Sequence, residues 1–156
     1  MISVIVYLTI MLGVIALDQI TKAVTDGVRN FVIIRDILYI SGTKNTGAAF
    51  SVFSDAAWAQ TFFIVITVIA VTLAVAVLFY NKKKSRWFDI SLVFVVAGAV
   101  GNFIDRIALK YVRDFIYVTF FANFNVADIA ISVGAIMLVV YFLFLDKDAL
   151  IKLKKK

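Results

Sequence analysis

Four long apolar runs dominate the chain, and short polar stretches separate them. The first extends from Ile2 to about Thr25 and is charged only at Asp18 and Lys22; the second, from about Ala56 to Tyr80, carries no charge. The third extends from about Trp87 to Ile107 and the fourth from about Val126 to Leu145. A helix needs roughly 20 apolar residues to cross a hydrocarbon core of about 30 Å, so each run can span a membrane. Between the first two runs, Ile37-Leu38-Tyr39-Ile40 and Ala48-Ala49-Phe50-Ser51-Val52-Phe53 are β-prone and are separated by Gly42 to Gly47, which predicts a small hairpin or curled sheet. Between the last two, Phe115-Ile116-Tyr117-Val118-Thr119-Phe120-Phe121 is too short to cross and rich in aromatics, as suits the water–lipid interface. The pattern predicts an all-α membrane protein of four transmembrane helices. A small β hairpin or curled sheet and a short interfacial segment lie at one face, all within a single integral membrane domain over residues 1–156. The first run has no basic region before it and no small-residue cleavage site after it, so it reads as a retained span.

Composition narrows the chemistry. Hydrophobic residues make up 63% of the chain and charged ones 17%, against about half and about a quarter in ordinary globular domains. There is no Cys or His, and all ten acids are Asp. That excludes a thiolate nucleophile, a disulfide, a Ser-His-Asp triad and zinc sets built on thiolate and imidazole. Acid–base work falls to Asp, Lys or Tyr.

The net charge is +6, but six of the sixteen cations lie in two clusters beside apolar runs, Lys82 to Lys84 and Lys154 to Lys156. Such clusters are usual cytoplasmic flanks of spans, and they lack the aromatic interleaving of a nucleic-acid surface. Contact with membrane lipids is expected, and nucleic-acid binding is not. An even number of spans puts both termini on the side of the basic hairpin, so termini and hairpin are predicted cytoplasmic. The connections of about 26–55 and 108–125 then face outward.

An ionisable group inside a span costs at least about 2.5 kcal/mol and calls for a partner or a function. Asp18 and Lys22, four apart, share a helix face in the favoured acid-before-base order, which fits a simple ion pair as well as a site. Gly98, Gly101, Asn102 and Asp105 form one stripe in the third span, with Arg106 a turn beyond Asn102. A small-residue packing seam would account for the glycines but not for the Asn, Asp and Arg at its outer end. Asn125-Val126-Ala127-Asp128 has the form of a capping box, a role compatible with catalysis by Asp128. The predicted topology brings Asp18, Lys22, Asn45, Gly47, Asn102, Asp105, Arg106, Asp114, Asn125 and Asp128 to one membrane face, although they come from five segments. Convergent ionisable and amide groups at one level describe a site.

Five of these segments also carry a resemblance. They are Asp18-Gln19-Ile20-Thr21-Lys22, Asn45-Thr46-Gly47-Ala48-Ala49-Phe50, Gly98-Ala99-Val100-Gly101-Asn102-Phe103-Ile104-Asp105-Arg106, Val112-Arg113-Asp114-Phe115 and Phe124-Asn125-Val126-Ala127-Asp128. In this order they resemble the motif set of bacterial lipoprotein signal peptidase, or signal peptidase II. The resemblance implies an intramembrane aspartyl protease of the bacterial cytoplasmic membrane. It would remove the signal peptide from prolipoproteins, cutting just before a diacylglyceryl-modified cysteine, without metal or cofactor, and be blocked by globomycin-type peptides. On matching positions Asp114 and Asp128 become the catalytic dyad. Asn102, Arg106 and Asn125 support it, and Asp18, Lys22, Asn45 and Gly47 brace the site or the substrate. The chain departs from the family pattern in having Ala97 before Gly98, no Pro before Phe124-Asn125, and a slightly shorter segment between Asp114 and Asp128.

An aspartyl mechanism suits a chain without His or Cys. Two close carboxylates share one proton, so the ionised member can activate water while the protonated member polarises the scissile carbonyl. A small transporter or proton channel, with Asp18, Asp105 and Asp128 as a relay, is the competing class. A relay needs ionisable groups at several depths.

Overall fold

A computed structural model describes residues 2–47, 58–80 and 85–146. Helix α1 covers Ile2–Thr25, α2 Ala59–Tyr80, α3 Arg86–Leu109 and α4 Val126–Val140, the last running on into a π-helical turn at Tyr141–Leu145. Strands β1 (Phe31–Ile34) and β2 (Leu38–Asn45) follow α1, and β3 (Val112–Val118) joins α3 to α4. The β-prone run Ala48 to Phe53, the expected beginning of the second span at Ala56, and the clusters at Lys82 to Lys84 and Lys154 to Lys156 lie outside the described residues.

Helix α3 is the centre of the bundle. Half of its most apolar stretch is buried against protein, whereas the corresponding stretch of α2 has no buried residue. The other helices therefore turn most of their Val, Ile, Leu and Phe side chains outward, as expected where lipid is the solvent. Close packing against α3 depends on glycine. A Cβ on Gly134 of α4 would stand 2.6 Å from the Ser91 carbonyl, and one on Gly101 would stand 2.8 Å from Asp18 Oδ2. A Cβ on Gly98 would collide with the carbonyl of Ala127.

One sequence expectation is corrected at the sheet. The stretch Gly42 to Gly47 was expected to separate two strands, yet β2 runs through it to Asn45. It can do so because β3 supplies its backbone partners, with Thr43 opposite Asp114 and Asn45 opposite Val112. The aromatic segment expected at the interface contributes its first residues, from Phe115, to strand β3, which begins at Val112 and pairs antiparallel with β2. Strand β1 completes an antiparallel sheet of order β1-β2-β3, with a register shift in β2 between Ile40 and Thr43. Helix α3 ends where Lys110 adopts a left-handed conformation (φ 67°) and its N–H bonds to the Arg106 carbonyl. This cap turns the chain sharply into β3.

Candidate active site

The end of the bundle that carries the sheet also gathers the polar residues of α1, α3 and α4. Asp18 and Lys22 are fully buried and form the expected i,i+4 ion pair, at 2.8 Å. Lys22 Nζ also donates to Asn102 Oδ1 at 3.0 Å and lies 3.5 Å from Asp105 Oδ2. The other oxygen of Asp18 accepts the Ala127 N–H at 2.9 Å, in the first turn of α4. Ion pairing of this kind leaves neither Asp18 nor Lys22 an isolated buried charge.

Asp128 begins α4 inside the capping box that the spacing predicts. Asn125 Oδ1 accepts the Asp128 N–H, and Asp128 Oδ2 accepts the Asn125 N–H at 3.1 Å. Its second oxygen accepts from Asn102 Nδ2 at 2.8 Å. Asp114 comes from β3, and strand alternation directs its side chain to the same face as Val112. Its Oδ1 accepts from Asn125 Nδ2 at 2.7 Å and its Oδ2 from Asn45 Nδ2 at 2.9 Å. Asn125 also donates to Asn102 Oδ1 at 3.1 Å, so the Asn125 and Asn102 amides in series link the two carboxylates. Burial, with the nearby Asp128 charge adding to it, pushes the Asp114 carboxyl up to about 6 against the opposing Asn45 and Asn125 hydrogen bonds.

Both carboxylates border a cavity of about 450 Å³. Asn45, Asn102 and Arg106 supply its polar wall, while Ile129, Val133 and Ile136 of α4 continue it as an apolar groove. The Arg106 guanidinium stacks 5.0 Å above Phe63, its Nη2 is 3.5 Å from the Gly47 carbonyl, and its buried Nε has no hydrogen-bond partner. Gly47 in turn donates its N–H to Asn45 Oδ1. Of the residues singled out in the sequence, Asn45, Asn102, Arg106, Asp114, Asn125 and Asp128 converge around the two carboxylates. Asp18, Lys22 and Asp105 stand behind them as a buried charged layer, and Gly98 and Gly101 serve helix packing.

Two further residues hold that layer together and were given no role from sequence. Arg113 makes three hydrogen bonds to Asp105, the closest from Nη2 to Oδ1 at 2.8 Å. The Asp105 carboxylate holds the Arg113 guanidinium above its usual pKa. Gln19 accepts from Arg113 at 3.1 Å and donates to the Gly101 carbonyl at 3.0 Å, tying α1, α3 and β3 together. Both residues lie inside segments that carried the resemblance, beside Asp18 and Asp114, and that adjacency was the available signal.

Fold and site together define a multi-pass membrane protein with one buried and one half-buried carboxylate, Asp114 and Asp128, on a single cavity. The sequence model described as Signal peptidase (SPase) II matches residues 10–144, and the chain belongs to that family. Proteins named lipoprotein signal peptidase are similar along most of their length. One from Listeria monocytogenes serotype 4a is 41% identical over 150 residues, covering 90% of this chain and 94% of its own. One from Enterococcus faecalis is 39% identical over 153 residues, covering 93% and 92%. A solved bacterial membrane enzyme structure, determined by the in meso method at 2.3 Å resolution, superposes with a TM-score of 0.80 at 29% identity, covering 92% of this chain and 90% of that one.

Proposed function

We propose that the protein removes the signal peptide from prolipoproteins by an aspartic mechanism, with Asp114 and Asp128 as the dyad. The observation that carries this is the arrangement of the two carboxylates: both border one cavity, both are largely withdrawn from water, and Asn125 donates to each, from its side chain to Asp114 and from its backbone N–H to Asp128. Neighbouring carboxylates that cannot both ionise hold one proton between them. The ionised member takes a proton from the attacking water, and the protonated member donates to the scissile carbonyl oxygen as charge develops on it. Asn45, Asn102 and Asn125 fix the carboxylates, and the Arg106 guanidinium at the cavity wall is placed to meet a peptide carbonyl.

The groove along Ile129, Val133 and Ile136 suits an apolar signal helix or the acyl chains of a diacylglyceryl cysteine, with the scissile bond at its polar end. The basic flanks in the sequence support a polar end at the outer face of the bacterial cytoplasmic membrane, with the termini inside. Family membership does not favour a proton relay through Asp18, Asp105 and Asp128, and Asp18 and Asp105 are each already joined to Lys22. The proposal is tested with purified protein and paired peptides that differ only in the diacylglyceryl group on cysteine. Cleavage before the lipidated cysteine, blocked by a globomycin-type peptide, is expected; equal cleavage of both peptides would contradict the specificity.

A further inference from the structure

A second cavity, of about 290 Å³, lies between the end of α1 and strands β2 and β3. Its charged lining comprises Lys22, Arg29, Lys44 and Arg113 with Asp26 and Asp114. Strand alternation puts Lys44 and Arg113 on the sheet face opposite the Asp114 side chain, so this cavity and the one that holds the dyad lie on opposite faces of the sheet and share Asp114 in their linings. Lys22 and Arg113 are already committed, to Asp18 and Asp105 respectively. Arg29 and Lys44 are not. Both are exposed, neither has a carboxylate partner among the described residues, and the Lys44 ammonium rests 4.9 Å from the centre of the Tyr111 ring.

The depth of this cavity is set by the chain itself. The apolar run of α1 ends at Thr25, which lines the cavity, so the cavity lies at the end of the span. Exposed apolar residues flank that position in the chain, with Val24 73% accessible just before it and Phe31 61% accessible just after. Cations at the level of the headgroups beside side chains suited to lipid tails match both halves of an anionic phospholipid. We infer that this cavity binds the headgroup phosphate of an anionic phospholipid, held by Arg29 and Lys44.

Native mass spectrometry of the purified, detergent-solubilised protein tests the assignment, with titration of phosphatidylglycerol against phosphatidylcholine. The wild type should retain phosphatidylglycerol preferentially. The double variant Arg29→Gln/Lys44→Gln should bind it about 30-fold more weakly and leave phosphatidylcholine binding unchanged. Arg35→Gln, which removes an exposed cation that does not line the cavity, should keep the preference. Equal affinity for the two lipids, or unaltered phosphatidylglycerol binding in the double variant, would overturn the inference. Displacement of phosphatidylglycerol by submillimolar inorganic phosphate would overturn it too, by assigning the cavity to a free anion. Retention of the wild-type thermal transition by both variants separates lost binding from lost folding.

Discussion

Asp114 is the residue on which opposing influences meet most directly. Burial raises its pKa and the Asp128 charge adds to the rise, while hydrogen bonds from Asn45 and Asn125 pull it down, leaving it at about 6. Since this exceeds the ordinary value of 3.8, the folded protein retains a proton that the unfolded chain releases at lower pH. Asp114 therefore favours folding fully below pH about 4, and that contribution is lost as pH rises through about 6. The same proton is the one the dyad requires, so kcat should decline on the alkaline side with an apparent pKa near 6 that belongs to the pair. Asn45→Ala removes a hydrogen bond that favours the ionised form, and the alkaline limb should move to higher pH. A limb that stays in place, read from kcat against pH, would contradict this role for Asn45. Local pairings such as Asp18 with Lys22 and Asn125 with Asp128 were legible because helix geometry fixes them at spacings of four and three. The partnership of Arg113 with Gln19 was not, because 94 residues separate them and only the folded sheet brings them together.

The apolar runs made the helices legible, since length and hydropathy alone identify a span. The sheet was only partly so. Ile37 to Ile40 announces a strand, but Ser41-Gly42-Thr43-Lys44-Asn45 has the composition of a turn and becomes β structure only because β3 pairs with it. Likewise the aromatic content of Phe115 to Phe121 suits an interface, whereas backbone pairing decides its conformation. Between α3 and α4 the glycine stripe has a consequence that can be measured. A Cβ at Gly98 would collide with the Ala127 carbonyl, immediately before Asp128. Gly98→Ala should cost about 1–3 kcal/mol through overpacking and lower kcat by displacing the start of α4. Gly13→Ala, where a Cβ meets nothing within 4 Å, provides the comparison. Equal thermal stability and equal turnover in the two variants would show that the seam is not tight.

At the scale of the molecule, α1, α3, α4 and the sheet deliver their polar residues to one end of a bundle whose remaining surface is largely apolar. That gathering was legible from the alternation of spans, while the hydrogen bonds joining Asn45, Asn102 and Asn125 to the carboxylates required the fold. Orientation in the membrane can be read directly, because the chain has no native cysteine. Arg35→Cys, at the sheet end, should react with an impermeant maleimide from outside intact cells. Ser85→Cys, at the opposite end, should react only after permeabilisation, and the reverse pattern would invert the proposed topology. The most direct test of the dyad is cleavage of a diacylglyceryl-cysteine peptide by purified Asp114→Asn and Asp128→Asn, each checked for an unchanged fold. Both should lose about 10²-fold to 10⁴-fold or more in kcat. Activity close to wild type in either variant would contradict an aspartic mechanism built on these two carboxylates.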